Sequence, residues 1–253
     1  QYLPSDYYDN LCTGKSEDWI DVYVHGKFGK SLSGQPVFRC FDTETHVAKN
    51  PVNVLNTTLI VGVDAGLNPS AVIGQVAYDG RLIVHDAITG EEGGMGALRF
   101  IRERFKPLLA NKFKGLAVLV IIDPAAFQRA QTDERSVADI FKAEGFAVKA
   151  ARTNAVAARL AACESYMTRT TDGKPMLMLS QDAQLLAKAL RGKYRYKVNS
   201  KGDRDDKPEK SHPWSDIADA FQDVCLHADG GSIFGSPQGS GVRKVEVAPY
   251  AWT

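Results

Sequence analysis

Cysteine is scarce and unpatterned in this sequence. Four occur in 253 residues, at Cys12, Cys40, Cys163 and Cys225. None has the close paired spacing of a zinc knuckle or a disulfide framework, so buried free thiols in a reducing, intracellular setting are the expectation. Long hydrophobic runs are missing too. The longest, ending at Ile122, is far below the roughly 20 residues that cross a bilayer. Residues 1–18 have no basic start followed by an apolar stretch, so no secretory leader is expected there. An excess of charge is absent as well: 31 Lys and Arg stand against 30 Asp and Glu, a net charge of +1. Only the distribution of charge can therefore speak for or against a polyanionic partner. No Walker A sequence occurs, which excludes a P-loop ATPase site from the chain. No convincing Ser/His/Asp or Cys/His arrangement offers a protein nucleophile. What is present is ordinary. With 44% hydrophobic and 24% charged residues, the composition fits a globular protein and excludes a disordered or collagen-like chain. The chain opens on Gln1 rather than Met, as a fragment or a processed product would.

Residues 1–56 are rich in Tyr, Asp and Gly, with one short apolar stretch, Trp19–Val24. They are expected to be a lead-in rather than a domain. Regular patterning begins at Leu59. Three β-leaning runs follow, Leu59–Val63, Ala71–Tyr78 and Arg81–Ile88, the last two joined by the hairpin signal Asp79-Gly80. Helical spacing over Gly93–Phe113 leads to Leu116–Ile122, a fully apolar run that reads as a buried parallel strand. Helices are expected over Glu134–Glu144, Ala155–Arg169, Gln181–Arg191 and Ser215–Ala228. Strands are expected at Phe146–Ala150, Met176–Leu179 and Tyr194–Val198. Three antiparallel strands feeding parallel strands through helices predict an α/β fold. This is one mixed sheet with helices on both faces, the strand order of the ribonuclease H-like fold. The expected organisation is lead-in 1–56, domain 57–229 and a Gly/Ser-rich tail 230–253.

Acidic residues fall where such a sheet binds ligands. Asp64 ends the first strand and Asp123 ends the fourth, and ligands bind outside the carboxyl ends of strands. If those strands are parallel neighbours, the two carboxylates emerge side by side. On the last helix, 100° per residue puts Asp216, Asp219 and Asp223 on one stripe, beside the apolar stripe of Ile217, Phe221 and Val224. A solvated face with acids at the helix N-terminus would explain Asp216 but not Asp223. Gathered carboxylates repel one another unless divalent cations neutralise them. An all-oxygen donor set suits magnesium or manganese. Two such ions clamp the attacking and leaving oxygens of a phosphoryl displacement.

Three segments, Val61-Gly62-Val63-Asp64-Ala65-Gly66, Ile121-Ile122-Asp123-Pro124-Ala125 and His212 through Ala220, carry a resemblance over Leu59–Ala228. The chain resembles the C-terminal nuclease domain of the large terminase subunit of tailed bacteriophages. That resemblance implies a metal-dependent endonuclease that cuts concatemeric viral double-stranded DNA during packaging, with two Mg2+ or Mn2+ ions as cofactors. It implies Asp64 and Asp123 as the first two catalytic, metal-binding acids. Asp219 is favoured as the third, with Asp216 assisting, and His212 and Asp223 are possible auxiliaries. It makes the lead-in the end of an upstream ATPase domain and its linker. It names the small terminase subunit and the portal or procapsid as further partners, the portal through the C-terminal tail. It places the protein in the host bacterial cytoplasm, with no membrane.

The most basic stretch, Arg191–Lys210, is the expected DNA contact. In a strand, Lys193, Arg195 and Lys197 would share one face, with Lys201 and Arg204 beyond, touching phosphates rather than reading sequence. Arg152, Arg159 and Arg169 form a weaker second surface. Competing readings are a Holliday-junction resolvase or transposase-like nuclease, a non-catalytic DNA-binding module, and an actin-like or sugar-kinase-like nucleotide binder. The last requires a phosphate loop, for which Gly93-Gly94-Met95-Gly96 is the candidate.

Overall fold

A computed structural model describes residues 34–90, 93–128, 135–198 and 204–230. The expected tail beyond Gly230 and the Trp19–Val24 stretch lie outside the described residues. After a short helix, α1 (Thr43–His46), the chain enters three strands, β1 (Leu59–Asp64), β2 (Ser70–Val76) and β3 (Leu82–Thr89). They form the expected meander, with antiparallel pairs β1–β2 and β2–β3. The Asp79-Gly80 turn closes with the Ala77 amide donating to the Arg81 carbonyl at 2.9 Å. Gly80 has φ of +84° there, a backbone region that favours glycine.

The next helical stretch runs through α2 (Ala97–Phe100), a π-helical segment (Ile101–Phe105) and α3 (Lys106–Lys112). It leads to β4 (Val118–Ile122), α4 (Val137–Ala143), β5 (Ala147–Ala150) and α5 (Val156–Thr168). A small hairpin, β6 (Thr170–Thr171) with β7 (Lys174–Pro175), precedes β8 (Leu177–Leu179) and α6 (Gln184–Lys188). A second hairpin, β9 (Tyr196–Val198) with β10 (Arg204–Pro208), precedes the last described helix, α7 (Trp214–Ala228). The sheet order is β5-β4-β1-β2-β3-β8. Strands β4, β5 and β8 pair in parallel. This is the mixed sheet expected from the sequence. The β6–β7 hairpin and strand β10, which pairs with β9, are additions outside that sheet; the charged residues after Val198 read as a loop.

Side-chain alternation divides the core between the two faces. Leu59, Val61 and Val63 of β1 and Val120 and Ile122 of β4 pack with Phe100, Phe105, Phe141 and Phe146. The other face carries α5, α6 and α7, with Cys163, Leu186, Ile217, Phe221 and Val224 buried in it. The segment 34–56, which the sequence offers as linker, contributes Val37, Phe38 and Phe41 to this second layer. Gln75, fully buried in β2, donates to the carbonyls of Leu55 and Thr57, both at 2.8 Å, and so fastens the approach to β1.

Candidate functional site

Alternation along β1 puts Gly62 and Asp64 on the face opposite Val61 and Val63, towards α7. The same rule puts Asp123, just past β4, on the side of Leu119 and Ile121. In the parallel β1–β4 register Val63 stands opposite Ile122. Asp64 and Asp123 therefore leave neighbouring strands at one level and on one face. Gly62 sets how closely α7 can lie on that face. A Cβ built there would stand 1.9 Å from the Ala220 carbonyl oxygen and 2.8 Å from Val224 Cγ2. Only a residue without a side chain lets the helix settle against the strand.

The acid stripe of α7 consequently turns inward. Asp219 and Asp223 are buried, at 7% and 3% exposure, whereas Asp216 is half-buried. A solvated acidic face is thereby excluded for the two inner residues. Burial, reinforced by the charges of Asp219 and Asp216, pushes the Asp64 carboxyl up to about 6, against the pull of Lys210. Burial pushes Asp223 up to about 8; Arg159 opposes this, while Asp123, Asp219 and Asp64 add to it. Asp64 thus senses the charges of Asp219 and Asp216, and Asp223 those of Asp123, Asp219 and Asp64, at the carboxyl end of β1 and β4.

Each is held differently. Asp123 Oδ1 accepts from the Ala125 amide at 2.6 Å and from Asn154 Nδ2 at 2.9 Å. Asp64 Oδ1 accepts from the Gly66 amide at 3.3 Å. Asp216 Oδ2 meets His212 Nδ1 at 2.5 Å, and its Oδ1 accepts from the Ser215 hydroxyl at 2.8 Å. Asp219 is the most heavily engaged. Lys210 Nζ donates to its Oδ2. Its Oδ1 lies 3.7 Å from Arg159 Nη1 and accepts from Gln222 Nε2 at 3.2 Å. Gln222 also donates to the Tyr194 hydroxyl at 3.1 Å.

Among the described residues, no three acidic, histidine or cysteine side chains are gathered closely enough to hold a metal ion as they stand. The donor chemistry nevertheless fits a hard cation. It is all carboxylate oxygen, burial and neighbouring charges raise Asp64 and Asp223, and two of the chain's own cations already balance it at Asp219.

Lys210, Arg159 and Asn154 are the contributors that sequence reading missed in this role. Arg159 was expected on a basic surface with Arg152 and Arg169, and the structure corrects this. Arg159 is only 12% exposed. Arg152 remains exposed and donates to the Leu226 carbonyl. Arg169 pairs with Asp229 at 3.4 Å and lies 5.5 Å over the Tyr166 ring. Nothing in the spacing of Asn154 marks it out.

The β9–β10 hairpin and its approach behave as an alternating strand should. Tyr194 and Tyr196 are buried, while Lys193 and Lys197 are exposed. Arg195 is half-buried, 3.4 Å from Glu209. Arg204 lies on β10 opposite Val198, and Lys201 falls outside the described residues.

Known structures share this fold. The large terminase of the thermophilic bacteriophage D6E superposes with a TM-score of 0.56 at 18% identity, over 92% of this chain and 52% of that one. A second crystal form of that terminase gives 0.55 at 16% identity, over 88% of this chain and 52% of that one. The nuclease domain of the P22 large terminase gives 0.52 at 11% identity, over 78% of this chain and 94% of that domain. The chain thus has the ribonuclease H-like fold of phage terminase nuclease domains, and it spans about half the length of the D6E protein. No protein-family model matches it, and no curated protein matches it in sequence.

Proposed function

We propose that this chain is a metal-dependent endonuclease domain that hydrolyses double-stranded DNA with little sequence preference, as part of a phage packaging motor. The observation that carries the reading is the burial of Asp219 and Asp223 against the strand-end acids Asp64 and Asp123. Burying carboxylates beside one another costs stability, and cations that the site is built to take relieve that cost. Asp64, Asp123 and Asp219, with Asp216 assisting, would hold two divalent cations, Mg2+ or Mn2+. Bound there, such ions supply a water of lowered pKa as nucleophile and stabilise the departing 3′ oxygen.

The chain's own groups prepare the site. The Ala125 amide and Asn154 fix Asp123, and His212 and Ser215 fix Asp216. Asp123 is held through Oδ1 alone, which leaves its Oδ2 for a ligand, and each Asp216 oxygen, with one partner, keeps a lone pair. Asp223 is the most deeply buried of the acids and has the largest upward shift. It serves as a protonated neighbour that limits repulsion. The exposed Lys193 and Lys197, with Arg204 on the same hairpin, contact the phosphate backbone, which gives affinity without sequence reading. The fold of the P22 nuclease domain and of D6E large terminase supports this setting. An upstream ATPase domain on the same polypeptide, the small terminase subunit and the portal are the partners it implies.

The test is cleavage of supercoiled plasmid by the purified chain. Nicked and linear products should form with Mn2+ or Mg2+ and vanish with excess EDTA. Binding of plasmid with no cutting in either metal would leave a DNA-binding module instead.

A further inference from the structure

We propose that the Lys210 ammonium stands in for a divalent cation within the acid cluster and leaves when one binds, whereas the Arg159 guanidinium remains as the cluster's fixed counter-charge. This rests on the metal-centre reading above and adds a division of labour between two cations. Both hold the same carboxylate by different oxygens: Lys210 takes Asp219 Oδ2, and Arg159 approaches Oδ1, which Gln222 also occupies. The oxygen that Lys210 covers is therefore the one that becomes available when it moves. The ammonium also interacts electrostatically with Asp64, so its charge sits where the strand acid and the helix acid meet.

The two cations differ in how readily they can leave. The Lys210 side chain is 74% exposed and springs from the link between β10 and α7. An ammonium on a flexible four-carbon stem is well hydrated and can swing into water without moving backbone. An ion pair with one largely exposed partner is weak, so a doubly charged ion on the same carboxylates outcompetes it. The Arg159 side chain is 12% exposed. It rises from α5, whose Ala162, Cys163 and Tyr166 are packed in the core. Its Nε is buried with no hydrogen-bond partner, so water does not reach that side of the guanidinium. A planar charge enclosed in this way has no route out that keeps the helix in place. It keeps Asp219 oriented whether or not Lys210 is there.

The experiment measures Mn2+ binding to the full chain, without DNA, by calorimetry and by the electron paramagnetic resonance signal of free Mn2+. Wild type, Lys210→Met, Lys210→Arg and Arg159→Gln are compared. Lys210→Met should bind Mn2+ about two- to fivefold more tightly than wild type, because the ion no longer displaces a resident charge. Lys210→Arg should stay near wild type. Arg159→Gln should bind more weakly, the opposite sign. Lys210→Gln serves in place of the methionine variant if that one melts early. Equal or weaker binding by the neutral Lys210 variants overturns the proposal, including the case in which they also lose cleavage, since the ammonium then serves the DNA. Tighter binding by Arg159→Gln overturns the division of roles. If wild type cuts DNA with Mn2+ yet the Lys210 variants bind the ion unchanged, this inference fails alone. If wild type neither binds Mn2+ nor cuts, the metal-centre reading fails with it.

Discussion

Asp223 is a residue whose position trades stability for chemistry. It is 3% exposed, and burial holds its carboxyl at about 8. A carboxyl whose folded pKa lies above its unfolded value near 3.8 binds an extra proton in the folded state between those two values. Stability from this group is therefore greatest at low pH and falls as pH rises from about 4 to about 8. Asp64, held at about 6, acts in the same direction over the lower part of that window. In the metal-free chain, Asp223→Asn should raise stability by up to about 5 kcal/mol at pH 7.5, with the gain shrinking towards pH 4. Urea melts of both proteins across that range check it; a gain independent of pH would contradict it. At this scale the sequence was partly legible. Helical spacing alone grouped Asp216, Asp219 and Asp223. It could not say that the stripe faces inward, because a stripe of acids at 100° per residue also describes a solvated face. The partners Lys210, Arg159 and Asn154 reach the acids across the fold, and local pattern carries no trace of such contacts.

The element that organises the site is the contact between β1 and α7. It depends on one missing side chain, at Gly62, where a methyl group would stand 1.9 Å from the Ala220 carbonyl. That carbonyl belongs to helix backbone, so relief requires moving the helix. Gly62→Ala should cost about 3 kcal/mol of stability, at the upper end of overpacking effects. It should also lower cleavage in the fraction that remains folded, because Asp216 and Asp219 lie on the displaced helix. Thermal melts combined with plasmid cutting at low temperature would separate the two effects; full activity per folded molecule would show that helix placement is not critical. Elements with a strict period were legible from sequence. The strand-end positions of Asp64 and Asp123 foretold two carboxylates emerging side by side from parallel neighbours, and the meander and last helix appear where the apolar spacing put them. Strand β10 was not legible, because Arg204–Pro208 carries four charged residues and a proline in five, and its pairing with β9 is set by neighbours distant from that composition.

At the scale of the whole molecule, a net charge of +1 conceals a separation of sign. Carboxylates converge at the ends of β1, β4 and the start of α7, while Lys193 leads into, and Lys197 and Arg204 lie on, the hairpin that precedes that helix in sequence. No helix among the described residues is long and apolar enough to cross a membrane. The fold is that of terminase nuclease domains at 11–18% identity, so the acids rather than the sequence as a whole must carry the functional argument. Cleavage by Asp64→Asn and Asp123→Asn, each shown to melt like wild type, is therefore the most direct measurement. The account predicts at least about a hundredfold loss of Mn2+-dependent plasmid cutting in each, with DNA binding retained, in line with losing transition-state charge stabilisation. Undiminished cutting by either folded variant would contradict it.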